Sequence, residues 1–373
     1  MVSRSFKKMI NTLDHGSTKA KKVKTIGTYV ERKGGQKDME LTIGIPVYKN
    51  VDTLNTALKS IATQKNKEVD CKVIISEDFS TDEIHQQIVQ LLEKWTNLQI
   101  EYHFNKPALG MSGNWNHCIQ LASTGYVALL HDDDFLYSNY LDEVAKVMKS
   151  KLLFDVLFWD NDEWVDGEKV RRDYHGIKRG YDNLKKGKIK KYKSGDYFFG
   201  GLEGKTLPTC GTLYKRDGFE EYEQKYGYSV DEIYAEKLCK KKKIYFYNKT
   251  VAVHTYRTET NLSSTYKVKR SFVLEREEHR QSMSNQSWIF RFCNKYLHDG
   301  MKLDSMYPWQ DCLFPEYMVT KKILNEKKMF NIIKRIYIYS QIFSYKNVKM
   351  VNSNPRIPFV TQDSPFVNES PVL

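Results

Sequence analysis

Three consecutive carboxylates, Asp132-Asp133-Asp134, follow directly on the apolar run from Tyr126 to Leu130. Like charges at the end of a buried segment raise one another's pKa and destabilise a fold unless a cation sits among them. Hard oxygen ligands of this kind suit magnesium or manganese, which keep coordination positions for water and substrate phosphates. An acidic run has a second use: ahead of a helix it caps the first turn and complements the helix dipole. Two more residues bear on the choice. Asp78 closes another β-rich run and, if buried, can accept hydrogen bonds from a base N–H or a ribose hydroxyl; the alternative is an Asx-turn beside Ser80. Tyr48, just after Pro46, offers either a flat face for stacking a base or one more core aromatic.

These residues need elements that bring them together. Short β-rich runs at Leu41 to Val47, Cys71 to Ser76, Gln99 to Phe104 and Tyr126 to Leu130 alternate with helical patterns at Val51 to Thr63, Glu83 to Trp95, Ser112 to Ala122 and Ser138 to Lys149. Asp82 and Ser138 are the expected N-caps of the second and fourth helices. Such alternation predicts an α/β fold, a mostly parallel sheet flanked by helices, with ligands bound beyond the carboxyl ends of the strands. The first, second and fourth strands then deliver Pro46-Val47-Tyr48, Glu77-Asp78-Phe79-Ser80 and His131-Asp132-Asp133-Asp134 to one crevice.

The rest of the chain sets bounds. With 40% hydrophobic residues among 373, a substantial core is available and disorder throughout is excluded. The six cysteines stand far apart, without the close pairs of a zinc or thioredoxin motif, and read as reduced thiols of a cytoplasmic protein. The apolar stretch from Ile332 to Ser344 is broken by Lys334 and Arg335, so no spanning run is expected. A formal charge of +13 gathers at Lys7 and Lys8, between Lys19 and Lys24, between Lys185 and Lys193, and at Lys240 to Lys243. Each cluster reads as a solvated face or as a surface for a polyanion or an anionic membrane. The division expected is a basic arm (1–38), a catalytic domain (39–264), a helical appendage (265–350) and an extended or disordered tail (351–373). Within the domain, the polar stretch from about Lys169 to Leu207 reads as a substrate loop or small insertion.

Leu41 to Trp164 resembles the nucleotide-binding half of a family 2 inverting glycosyltransferase of the GT-A fold, of the bacterial polysaccharide type. Ile43-Gly44-Ile45-Pro46-Val47-Tyr48 is similar to the family's first strand, and Ile74 through Asp82 to its Asp-Asp-Gly-Ser-Thr-Asp turn. Asn105 through Gly110, Gly113-Asn114-Trp115-Asn116 and Ala122 through Tyr126 look like its Asn-Gly segment and the helix leading to the metal strand. Leu130-His131-Asp132-Asp133-Asp134 stands where the Asp-X-Asp motif belongs. The order and spacing of these motifs together are specific, whereas each alone is weak.

The resemblance implies a nucleotide-sugar donor, most simply a UDP-sugar, bound by Pro46, Val47, Tyr48, Asp78, Asn105, Gly110, Asn114 and Asp132. It implies Mn2+ or Mg2+ held by Asp133 with Asp134 and His254, and a catalytic base at the start of a later helix. Asp231 is the choice for that base and Glu232 the reserve, ahead of the helical text Ile233 to Lys240. The acceptor implied is a saccharide or a lipid-linked sugar, with peripheral contact to an anionic inner membrane face and no nucleic-acid partner. Two departures stand out: His131 replaces the first acid of the triplet and could support the metal, and Phe79 replaces the turn glycine. Val253 through Asn261 resembles the closing Tyr-Arg-X-His segment, with Glu259 in the histidine's place and Arg257 available to phosphate. Two rival readings remain. A sugar nucleotidyltransferase would carry a glycine-rich basic loop after the first strand, which Pro46 to Asn50 is not, and a non-enzymatic binder of nucleic acid or anionic glycan rests on charge alone.

Overall fold

The computed structural model describes residues 25–27, 39–66, 68–78, 81–150, 152–170, 185–192, 209–238 and 241–257, with eight positions between 268 and 279 and residue 332. Of the expected arm only residues 25–27 are described, as a short strand; the tail, most of the polar stretch ending at Leu207 and most of the appendage lie outside the described residues. In chain order the strands are β1 (Thr25–Gly27), β2 (Met39–Val47), β3 (Val69–Asp78), β4 (Gln99–Asn105), β5 (Tyr126–Leu129), β6 (Phe135–Leu136), β7 (Val156–Val165), β8 (Glu168–Val170), β9 (Ile189–Lys191), β10 (Leu213–Lys215) and β11 (Ile244–Tyr256). The helices are α1 (Val51–Ala62), α2 (Asp82–Leu92), α3 (Met111–Leu121), α4 (Tyr140–Lys149) and α5 (Val230–Leu238).

One sheet runs β1-β4-β3-β2-β5-β10-β7-β11-β6, with β8 on β7 and β9 on β11. Its long pairings, β4-β3-β2-β5 and β7-β11, are parallel. The antiparallel pairings among the described residues are short, none beyond three register positions. This is the mostly parallel α/β sheet expected from the alternation of strand and helix patterns.

Period-two alternation assigns the two faces. Leu41, Ile43 and Ile45 of β2, with Val73 and Ile75 of β3, join Leu54, Leu58, Ile88 and Val144 from α1, α2 and α4 in one core. Ile74 of β3 and Val127 and Leu129 of β5 point the other way, against Trp115, Cys118 and Ile119 of α3 and Val230 and Ile233 of α5. Gly44 faces α3, where a Cβ would lie 2.8 Å from that of Cys118, so the helix sits on the strand at a distance only glycine permits.

Buried polar groups fix the turn after β5. Ser60 accepts from the Leu136 N–H, and the Gln64 side chain donates to the Tyr137 carbonyl and accepts from the Leu141 N–H. Two cap assignments need correcting. Thr81, not Asp82, caps α2 by accepting from the Ile84 N–H, and Asp82 falls within the first turn, where its charge still favours the helix dipole. Asn139 rather than Ser138 precedes α4 without capping it, its side-chain amide turned to the Thr250 carbonyl of β11. β7 is held over its whole length, from Val156 to Val165, by ten positions paired with β11. Among the described residues no helix is long and apolar enough to cross a membrane.

Candidate active site

The carboxyl ends of β3, β2 and β5 lie side by side, which brings Asp78, Tyr48 and the acidic run to one edge of the sheet. The run forms a tight turn, closed by the Asp134 N–H on the His131 carbonyl at 3.2 Å. The two-residue strand β6 follows, and α4 begins only at Tyr140, so the acids do not cap a helix. The end of β11 grips this turn: the Thr255 N–H donates to Asp134 Oδ1 at 2.9 Å, and the Thr255 hydroxyl donates to the Asp133 carbonyl. His254 Nδ1 lies 3.1 Å from Asp134 Oδ1 and His131 Nδ1 lies 3.5 Å from Asp134 Oδ2. Donor atoms of His131, Asp133 and Asp134 all lie within 4.8 Å of one another. Two carboxylates and an imidazole at that spacing fit a divalent cation of the magnesium or manganese type.

The three acids differ electrostatically. Burial, then the neighbouring Asp133 charge, pushes the Asp132 carboxyl up to about 7 despite a 3.1 Å hydrogen bond from the Tyr48 N–H. Burial and the Asp134 charge likewise raise Asp133. Burial would raise Asp134 too, but His254 and His131 outweigh it and hold this carboxyl below the ordinary range. In return Asp134 raises His131, against the downward push of burial. An added cation therefore relieves most strain at Asp132 and Asp133.

The residues expected to bind the donor divide in two. Tyr48 is half exposed, with the Lys49 ammonium 4.7 Å from its ring centroid, and its free face can take a base. Asp132 reaches the same edge. Pro46 and Val47 lie in β2, with Val47 fully buried in the core beneath. Asp78 accepts the Leu109 N–H at 2.6 Å on one oxygen and the Gly110 N–H at 2.9 Å on the other, so it holds the loop entering α3. Gly110 takes φ +75° there, the left-handed region that favours glycine. Asn105 donates to Ser76 Oγ and Asn114 Oδ1, and Asn114 donates to the Ser76 carbonyl. These two buried amides join β3, β4 and α3, and the structure gives them a framework position behind the edge.

Residues 42–223 match the model of the family described as "Glycosyl transferase family 2". This segment is a family 2 glycosyltransferase domain. A Campylobacter jejuni protein named GalNAc(5)-diNAcBac-PP-undecaprenol beta-1,3-glucosyltransferase is 35% identical over 108 residues, covering 29% of this chain and 34% of its own. A glycosyltransferase of Mycoplasma genitalium is 24% identical over 128 residues, 33% of this chain and 41% of its own. The chain thus spans between about a third and two fifths of these relatives. Among solved structures, GalNAc-T7 with UDP, GalNAc and Mn2+ superposes with a TM-score of 0.51 at 15% identity, covering 82% of this chain and 58% of the other, a likeness of fold.

Asp231 lies in the first turn of α5, two residues after Ser229. The Glu232 side chain lies outside the described residues, as do Glu259 and Phe79. An aromatic path links α5 to the acidic turn: His131 stacks on Trp115 at 4.9 Å, Trp115 meets Tyr222 edge-on at 5.3 Å, and Tyr222 stacks on Tyr234 of α5 at 3.9 Å. Sequence reasoning gave no role to Trp115 or Thr255. Trp115 stands in the quoted Gly-Asn-Trp-Asn stretch and Thr255 in the closing segment, but neither residue type announces a partner. His131, expected only to support the metal, belongs to the three-residue cluster, whereas His254 reaches it through Asp134.

Proposed function

We propose that this glycosyltransferase moves a sugar from a nucleoside diphosphate, most simply UDP, to a hydroxyl of a saccharide or lipid-linked acceptor, with inversion and with help from Mn2+ or Mg2+. The observation that carries this reading is the His131, Asp133 and Asp134 cluster beside Asp132 and Tyr48 at the carboxyl edge of the sheet. In the reaction, Asp231 accepts the acceptor's hydroxyl proton while that oxygen bonds to the anomeric carbon. The bond to the diphosphate oxygen breaks on the opposite face, and its electron pair leaves with the diphosphate. Tyr48 stacks the base, Asp132 meets the ribose, and Asp78 keeps the loop at residues 106–110 shaped around the donor. Asp133, with His131 and Asp134, holds the divalent cation. When bound, that ion neutralises the departing diphosphate.

The named activity of the Campylobacter relative, on a polyprenyl-diphosphate-linked glycan, supports a lipid-linked acceptor and a place in bacterial surface polysaccharide synthesis. Basic flanks suit peripheral contact with an anionic cytoplasmic membrane face. The test is thermal shift against UDP-, GDP-, CDP- and TDP-sugars with and without manganese. Asp133→Ala should abolish metal-dependent donor binding, whereas Asp231→Asn should keep donor binding and lose transfer. Equal loss of donor binding in both variants refutes this division of roles. Salt-sensitive polyanion binding that survives Asp133→Ala, with no response to any donor, would favour the non-enzymatic reading.

A further inference from the structure

The start of α5 is held by residues far along the chain. Ser229 precedes the helix, where a serine hydroxyl ordinarily accepts a hydrogen bond from the first turn. Here it donates instead to the Phe272 carbonyl at 2.9 Å. The peptide N–H groups of Ser229 and Tyr228 both donate to one carboxylate oxygen of Glu275, at 2.9 and 3.0 Å. The other oxygen lies 3.3 Å from Tyr228 N, and a Cβ at Gly227 would stand 3.3 Å from it, so the carboxylate rests against bare backbone. The ring of His279 meets Tyr226 edge-on at 6.0 Å. Residues 226–229 are thus anchored by Phe272, Glu275 and His279, and the helix they open has nine residues, with Asp231 second.

We propose that Glu275 is a positioning residue for Asp231. The inference rests on the reading of Asp231 as the proton acceptor. A helix of under three turns depends on its cap, and an anion at its N-terminus also complements the dipole. Without Glu275, two N–H groups lose their acceptor, the first turn frays, and Asp231 shifts relative to the acceptor hydroxyl. Displacements on the order of 1 Å at a reacting group cost up to about a hundredfold in rate. The segment that closes the helical start therefore tunes transfer without touching donor, metal or acceptor.

The experiment uses the full chain, the donor selected by thermal shift and a panel of p-nitrophenyl glycosides as acceptors, with UDP plus Mn2+ as the binding probe. Glu275→Ala should lower kcat by about tenfold or more, with donor KM and UDP binding unchanged within about twofold. Glu275→Gln, which keeps one acceptor oxygen, should recover part of the loss. The double variant Glu275→Ala/Asp231→Asn should be no slower than Asp231→Asn, because positioning matters only while the base is present. Unchanged kcat in Glu275→Ala, or penalties that multiply in the double variant, would overturn the proposal. Wild-type transfer by Asp231→Asn would instead sink the base assignment beneath it. If circular dichroism shows Glu275→Ala unfolded, Ser229→Ala, which removes only the bond to Phe272, takes its place in the cycle, and unchanged kcat there overturns the proposal too.

Discussion

Raising the pH should destabilise the metal-free protein through the acidic turn, and the size of the effect can be worked from Asp132. The residue is only 8% exposed, and its carboxyl is pushed from 3.8 up to about 7, by burial first and then by Asp133. Between those values the folded chain keeps a proton that the unfolded chain has released, so stability falls as pH rises through the window and levels off above it. Three pKa units correspond to a ceiling of about 4 kcal/mol. His131 acts in the same direction: Asp134 raises its pKa against burial, so its contribution is present at low pH and lost as pH rises through the folded value. Asp134 does not oppose this, because its lowered pKa confers stability that disappears only below the ordinary carboxylate range. Thermal denaturation in EDTA, from about pH 5 to about pH 8, should show Tm falling by several degrees. Asp132→Asn can still accept the Tyr48 N–H but carries no charge, and should flatten the curve. Manganese should restore more stability at the upper end than at the lower, because it favours the anions. A flat or rising Tm in EDTA, parallel in wild type and Asp132→Asn, would refute the argument.

Two further substitutions separate framework from chemistry. Asp78→Asn replaces one oxygen with a donor, leaving the Leu109 or Gly110 N–H without its acceptor; urea denaturation should show a loss of about 1–3 kcal/mol and titration a weaker donor affinity, and unchanged values in both would remove Asp78 from the loop's support. Asp134→Asn should lower Tm more than it weakens manganese binding, whereas Asp133→Asn should do the reverse, since His131, His254 and the Thr255 N–H all converge on Asp134; calorimetric titration of Mn2+ beside thermal melts decides, and the opposite ranking would reassign the principal ligand.

The parallel half of the sheet was legible because its signal is local. Apolar residues at alternate positions of β2 face one core, those of β3 and β5 divide between it and a second, and each run is bounded by a turn or a helix pattern. The short strands β6, β9 and β10 were not, because they span two or three residues and exist only by pairing with distant partners. The cap of α2 was placed one residue late for a related reason. Thr81 and Asp82 can both cap, and only the extended backbone of Thr81 decides between them. In the site, the acidic run and Asp78 were visible as charges in apolar surroundings. The work of Asn105 and Asn114 was not, since an amide suits a ligand or a neighbouring backbone equally well and the choice depends on α3 lying over β3.

How the buried acids are compensated explains why two of them are left with uncompensated charge. Asp78 has two peptide N–H groups, one for each oxygen. Asp134 has two imidazoles and a third N–H, and is more acidic for it despite full burial. Asp132 has the Tyr48 N–H alone, and both it and Asp133 are raised. A buried carboxylate with too few donors is costly, and folds keep one chiefly where a ligand supplies what the protein does not. The fixed acids shape the loop and the turn, while Asp132 and Asp133 carry the uncompensated charge at the edge where three strand ends meet. The same division accounts for His131 in place of an acid. A fourth carboxylate, at position 131, would add repulsion before any cation arrives, whereas an imidazole ties Asp134 in place and still lies within reach of the ion.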